Sequence, residues 1–217
     1  MTERAVFGAV LLLSFLLGSI PWGVIISRVF YHTDVREHGS GNIGTTNAIR
    51  TMGKVGGGAV FVLDFGKGIV SGLLVSLLVA SFVLPYGGFH QLSYDVLSTA
   101  AFFGCIVGHV FSPWLGFKGG KGIAVAVGCM FVTFGPAIAI AELAIFAVLV
   151  VATKYVSVGS LAAALACPVF ALVKFWGAWP AVVLCTAAAL IVVWAHRGNI
   201  ARLRAGTESR IGSKGDK

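Results

Sequence analysis

The chain has 217 residues, of which 58% are hydrophobic and only 11% charged, with a mean hydropathy of +0.94. Soluble domains carry about 25% charge, so an ordinary water-soluble fold is excluded, and so is disorder, which needs few apolar residues and many charges. The apolar runs are continuous rather than alternating, which excludes an outer-membrane barrel and leaves an all-α integral membrane protein.

A helix needs about 20 apolar residues to cross the hydrocarbon core, with about 17 as a short limit. In chain order the spans are predicted at residues 5–27, 59–84, 96–115, a pair within 123–152, 158–174 and 178–195, about seven in all and some of them short. The N-terminal run lacks a small-residue cleavage site and continues past Pro21, so it reads as an uncleaved span rather than a signal peptide. Pro85, Gly87 and Gly88 mark a turn after the second span. The apolar run 123–152 is long for one span, and Gly135-Pro136 in its middle predicts a hairpin of two short helices.

Charge orients the chain. With the N-terminus outside, Arg28, Arg36, Arg50, Lys54, Lys67, Lys118, Lys121, Lys154, Arg197, Arg202, Arg204, Arg210, Lys214 and Lys217 fall on the cytoplasmic side, and only Arg4 and Lys174 near the outer face. The positive-inside rule therefore predicts an outer N-terminus and a cytoplasmic C-terminus, and it favours the hairpin, because a single span over 123–152 would invert everything after it. Residues 1–208 read as one polytopic domain and 209–217 as a flexible polar tail. The formal charge of +8 is assigned to orientation and the membrane surface, not to nucleic acid. Cys105, Cys129, Cys167 and Cys185 lie in apolar stretches without metal-type spacing and read as buried thiols.

Four polar islands face the predicted cytoplasmic side. The first, His38-Gly-Ser-Gly-Asn-Ile-Gly-Thr-Thr-Asn-Ala-Ile-Arg50, is rich in donors and has no acidic residue between Gly39 and Gly53. A helix starting near Asn42 would present N–H groups to an anion and put Asn47 and Arg50 on one face. A solvated, capped surface loop is the plainer reading of the same residues. The second island runs from Gly108 to Gly122, with Lys118 and Lys121 flanking Gly119 and Gly120. Glycine admits phosphate oxygens close to the backbone and ammonium supplies charge. Because Gly122 follows Lys121, the Walker A hydroxyl is missing and a nucleotide triphosphatase is not indicated. His109, just before the loop, is an acid–base candidate or a structural hydrogen-bonder. The third island offers Ser157 and Ser160, which helix capping also explains. The fourth, His196 to Glu208, places His196 and Asn199 on one helical face; Arg202, Arg204 and Arg210 fit a basic helix on anionic lipid. Asp64 and Lys67, three apart within a span, read equally as an ion pair or as part of an anion site. Glu142 is predicted to reach the outer interface.

Together these motifs resemble the PlsY family of bacterial acyl-phosphate-dependent glycerol-3-phosphate acyltransferases. The family's Gly-Ser-Gly-Asn-x-Gly-Ala-Thr-Asn followed by Arg is similar to Gly39–Arg50, and its Gly-His-x-Phe then Phe-Lys-Gly-Gly-Lys-Gly to Gly108–Gly122. Its His-Arg-x-Asn-Ile-x-Arg-Leu then Gly-x-Glu is similar to His196–Glu208. Thr45 stands where the family has Ala, and Val125 where it often has Thr. The resemblance implies transfer of a fatty acyl group from a long-chain acyl phosphate to the 1-hydroxyl of sn-glycerol 3-phosphate, in the bacterial inner membrane and at its cytoplasmic face. The products would be lysophosphatidic acid and inorganic phosphate. It implies Ser40, Arg50, His196 and Asn199 as catalytic residues. Asn42, Asn47, Lys67, Lys118, Gly119, Gly120, Lys121, Gly122 and Ser157 are the candidate phosphate ligands, and Asp64 and Glu208 the structural residues. No metal or other cofactor is expected, and the partners are membrane lipids and an enzyme that makes acyl phosphate. A phosphate transporter and a lipid-binding scaffold are the competing classes; a transporter needs donors reachable from both faces, and the donors here cluster on one.

Overall fold

A computed structural model describes residues 3–82 and 93–211; the predicted turn at Pro85, Gly87 and Gly88 lies outside the described residues. Among the described residues every regular element is helical. In order they are α1 (Glu3–Ser19), α2 (Trp22–Tyr31), α3 (Thr45–Phe82), α4 (Tyr94–Val110), α5 (Ile123–Thr133), α6 (Pro136–Thr153), α7 (Val156–Lys174), α8 (Trp179–Ala195) and α9 (Arg197–Arg204), with short 3-10 turns at Val35–Glu37 and Pro113–Leu115. The chain is an integral membrane protein. Five helical stretches are long and apolar enough to cross a bilayer, and the pair α8–α9, bent by 52°, makes a sixth.

The expected seventh helix is α5. Its 11 residues rise about 16 Å, roughly half the hydrocarbon thickness. The predicted hairpin break is present: Gly135 adopts φ 89° and Pro136 opens α6, a pairing that suits glycine's tolerance of positive φ and proline's missing N–H at a helix start.

Breaks in three other places set up the site. Ile20 and Pro21 separate α1 from α2, which together form the first span. Gly53, at φ 73° and ψ −175°, divides α3 into a short segment from Thr45 and a long one reaching Phe82. The island residues 45–52 are therefore helical. The third break is His196, between α8 and α9.

The central helix is α4, with 78% of its apolar window buried against 11% for the peripheral α6. It packs on α1, α3, α5 and α8. In a bilayer, helices associate by close packing rather than by the hydrophobic effect, and small residues make that approach possible. Here a Cβ on Gly18 would collide with the Cys105 carbonyl and one on Gly108 with the Phe15 carbonyl, so α1 and α4 meet backbone to backbone. The same holds for α3 and α5 at Gly68 and Gly128. All four cysteines are buried free thiols.

Glu142 does not reach an interface. It is 5% exposed, and with Phe102, Met130, Cys167 and Val192 it lines an internal cavity of about 30 Å³ between α4, α5, α7 and α8. The expectation failed because a carboxylate's sequence position says how deep it lies along a helix, not which face it occupies.

Candidate active site

The first island is organised by Asn47. Its side chain is 2% exposed. The two hydrogens of the amide Nδ2 are shared among the carbonyls of Val35 at 2.8 Å, His38 at 3.0 Å and Asn42 at 2.9 Å, while Oδ1 accepts the Ser40 N–H at 2.9 Å. Asn42 Oδ1 accepts the Gly44 N–H at 2.9 Å. Gly39 and Gly41 take left-handed φ values of 56° and 67°, and a Cβ on Gly39 would strike Asn47 Oδ1. Asn47 thus spends its hydrogen-bonding groups on the loop backbone and shapes the turn that presents Ser40. Asp34 anchors the preceding segment through Arg36 at 2.7 Å and Arg28 at 2.8 Å. Hydrogen bonding from Arg36 outweighs the opposing cost of burial and, with Arg28, holds the Asp34 carboxyl far below the usual carboxylate range. Arg50 passes beside Gly39, and a solvent-open pocket of about 480 Å³ lies between Tyr31, Thr33, His38, Gly39, Arg50 and Thr51.

The second island folds against the end of α4. The Gly119 N–H donates to the Val110 carbonyl at 2.9 Å and the Gly120 N–H to the His109 carbonyl at 3.0 Å. A Cβ on Gly119 would meet the His109 carbonyl oxygen, and one on Gly120 the His109 ring. The paired glycines between the lysines are therefore required by the approach to His109, a reason local sequence could not supply. Phe117 precedes the loop at φ 62°, rare for a bulky residue. Lys118 is exposed and Lys121 partly buried.

Lys121 is where the islands meet. Burial pushes its ammonium down to about 8, with Arg202 and Arg50 adding repulsion and Glu208 partly offsetting it. His196, just beyond the end of α8, is 2% exposed, and its Nδ1 donates to the Val192 carbonyl at 2.8 Å. Burial carries its pKa down to about 4, opposed by that hydrogen bond and reinforced by Lys121. The imidazole is neutral at pH 7 with Nδ1 occupied, which leaves Nε2 as an acceptor. Asn199 Nδ2 donates to Glu208 Oε1 at 2.6 Å, and Arg202 Nε to Oε2 at 2.7 Å. Burial would raise the Glu208 carboxyl, but Asn199, Ser157 and Arg202 together hold it below its ordinary range. Ser157 Oγ faces that carboxylate without closing a short hydrogen bond.

Arg50, Lys121, His196, Asn199, Arg202, Glu208 and Ser157 thus surround one cationic region. Lys67 is placed elsewhere, buried beside Asp64 at 2.8 Å. Arg202, read from sequence as a lipid-facing charge, instead belongs to the cluster. The available signal was its position three residues after Asn199, on the same helical face. Within residues 209–211, Arg210 Nε donates to the Tyr155 hydroxyl at 2.8 Å and the Ile211 N–H to the Lys154 carbonyl at 2.9 Å. Lys214 and Lys217 lie outside the described residues. Among the described residues no three His, Cys, Asp or Glu side chains gather as a metal site would require.

Residues 8–206 match the sequence profile of the glycerol-3-phosphate acyltransferases. The chain belongs to this family. A glycerol-3-phosphate acyltransferase of Listeria monocytogenes is 41% identical over 203 residues, covering 92% of this chain and 94% of its own. One from Thermosynechococcus vestitus is 38% identical over 223 residues, covering 98% and 99%. The crystal structure of PlsY, an integral membrane glycerol 3-phosphate acyltransferase, in its glycerol 3-phosphate form superposes with a TM-score of 0.82 at 31% identity, covering 95% of this chain and 96% of that one. Its lysophosphatidic acid form gives 0.79 at 29%, covering 97% of both. This acyltransferase is therefore a PlsY-type enzyme, and the resemblance seen in its three motifs extends through nearly its whole length.

Proposed function

We propose that this acyltransferase moves a fatty acyl group from a long-chain acyl phosphate to the 1-hydroxyl of sn-glycerol 3-phosphate, releasing lysophosphatidic acid and inorganic phosphate. The reaction would be the entry step of phospholipid synthesis, at the cytoplasmic face of a bacterial inner membrane. An enzyme that makes acyl phosphate is the natural supplier of its donor. The observation that carries this reading is the convergence of Lys121, Arg50 and Arg202 beside neutral His196, where apolar helices give way to a polar surface. Such a site suits one small dianion and one acylated anion.

Chemically, the hydroxyl oxygen attacks the acyl carbonyl carbon, the bond from that carbon to the phosphate oxygen breaks, and the hydroxyl proton leaves with a base. Lys121, with Lys118 and the N–H groups of Lys121 and Gly122, would hold the glycerol phosphate, with Gly119 and Gly120 leaving room for it. Ser40 and Arg50 would orient the acyl phosphate and steady its developing charge, so that positioning and electrostatics supply most of the rate. His196 Nε2 would accept a hydrogen bond from a glycerol hydroxyl, with Asn199 held in place by Glu208. A group with a pKa near 4 is a weak base beside a phosphate monoester, whose second pKa is about 6. This favours substrate phosphate as the proton acceptor, with His196 serving binding.

Purified protein in detergent or lipid, given acyl phosphate and glycerol 3-phosphate without acyl-CoA or acyl carrier protein, should yield lysophosphatidic acid and phosphate in equal amounts. Absence of product, together with uptake of glycerol phosphate into vesicles, would instead establish transport. His196→Gln separates the two roles of the histidine. It should raise KM for glycerol 3-phosphate while turnover at saturation largely persists; normal KM with collapsed turnover would make His196 the base.

A further inference from the structure

Among the described residues, the interior holds a charged cluster that the proposed chemistry does not use. Asp64 and Lys67 lie one turn apart on α3 and His109 in the last turn of α4, and all three are buried. Lys67 Nζ lies 2.8 Å from Asp64 Oδ1, donates to the Ile20 carbonyl at 2.8 Å and sits 3.0 Å from His109 Nδ1. Two of its donor directions are thus taken by hydrogen bonds and its charge is paired with Asp64. A charge inside the bilayer costs about 2.5–3.5 kcal/mol on insertion scales, which a purely space-filling position would not require.

The contacts have a direction. An ammonium carries no lone pair, so Nδ1 of His109 is the acceptor and the ring proton sits on Nε2. That far edge of the ring abuts Gly120, where a Cβ would overlap Nε2. The His109 and Val110 carbonyls meanwhile take the Gly120 and Gly119 N–H groups. The same loop is tied to the α1–α2 break a second way: Ser112 Oγ donates to the Ser19 carbonyl at 2.7 Å and Trp114 Nε1 to Ser19 Oγ at 2.8 Å. The loop carrying Lys121 is therefore seated on a ring whose tilt is set from beneath by α3.

We propose that Asp64, Lys67 and His109 are positioning residues for glycerol phosphate binding: the ion pair on α3 fixes the His109 ring, the ring fixes Gly120, and Gly120 fixes where Lys121 meets the phosphate. This rests on the reading of Lys121 as a phosphate ligand.

The test uses full-length protein in detergent, with kcat, KM for each substrate and the thermal midpoint measured for Lys67→Met, His109→Ala, Gly120→Ala, the double variant His109→Ala/Gly120→Ala and Lys121→Met. Lys67→Met and His109→Ala should raise KM for glycerol 3-phosphate about tenfold while leaving that for acyl phosphate nearly unchanged, as expected for a small misplacement of one ligand. Gly120→Ala should lose more, and the double variant should recover at least about tenfold of that loss, because the vacated ring space accepts the methyl; coupling of this kind marks direct contact. Lower thermal midpoints with unchanged KM, or single effects that simply add, would overturn the proposal. If Lys67→Met does not accumulate, the His109 and Gly120 variants decide alone. If Lys121→Met leaves KM for glycerol 3-phosphate unchanged, the phosphate-ligand reading fails and this proposal with it. A raised KM there without any His109–Gly120 coupling overturns only the positioning role.

Discussion

Lys121→Met should lower kcat/KM for glycerol 3-phosphate by about 10²- to 10³-fold, the size associated with removing one preorganised donor to a reacting anion. The cause is the surroundings of the ammonium. It is partly buried and crowded by Arg50 and Arg202, so its charge is poorly satisfied until an anion arrives. The same crowding gives a pH signature. With a pKa near 8 instead of 10.5, free Lys121 sheds its proton early, and a neutral amine offers a dianion no charge. Above about pH 8, kcat/KM should therefore fall, approaching tenfold per pH unit. Lys121→Arg should start from lower activity, because a guanidinium fork does not reproduce a point charge, yet it should lose this alkaline limb, since arginine keeps its proton past pH 12. Steady-state kinetics between pH 6 and 10 decide it, and an unchanged limb in the Arg variant would refute the assignment. Folding responds with the opposite sign. Between about 8 and 10.5 the unfolded chain binds this proton more tightly than the folded one, so through this group stability rises with pH across that window.

Gly119→Ala should cost at least about 10²-fold in turnover, the usual penalty when reacting groups are displaced by an ångström. The added methyl would run into the His109 carbonyl oxygen. That oxygen is backbone, and it is engaged by the Gly120 N–H at 3.0 Å, so the loop must move instead. Gly116→Ala is the control: nothing lies within 4 Å of its added Cβ, although its φ is 60°. It should bear only the strain of a left-handed alanine, about 1–2 kcal/mol, with activity retained. Acylation assays on both variants, normalised by circular dichroism in detergent, distinguish loop displacement from general weakening. Wild-type turnover in Gly119→Ala would show that the loop does not need its present seat.

Much of this arrangement could be read from the residues alone, for a simple reason. In so apolar a chain, polar residues stand out, and the islands at 38–50, 116–122 and 196–208 are the segments that build the cationic region. The Gly135-Pro136 break was equally plain, because both residues act on their own backbone. What escaped the sequence was pairing. Asn47 carries the same amide whether it serves a ligand or three carbonyls, and only the fold shows that it serves the carbonyls. Lys67 and Lys121 are both lysines beside glycine, yet one is enclosed by α3, α4 and the α1–α2 break while the other meets Arg50 and Arg202. Arg202 sat in a run of arginines that lipid attraction explained well enough. Glu142 was legible in depth but not in azimuth, since the surrounding helix is apolar on every side and offers no polar stripe from which to infer a face.

The segment after α9 bears on how the enzyme is made. Glu208 aligns Asn199 and Arg202, and Arg210 and Ile211 clasp the turn between α6 and α7. Membrane helices enter the bilayer in order as the ribosome delivers them, and folding during synthesis proceeds from the N-terminal side. The clasp joins a late segment to a turn inserted much earlier, so the cationic cluster should close only after residue 211 has cleared the ribosome. A nascent chain can hold its spans in the membrane without yet being an acyltransferase.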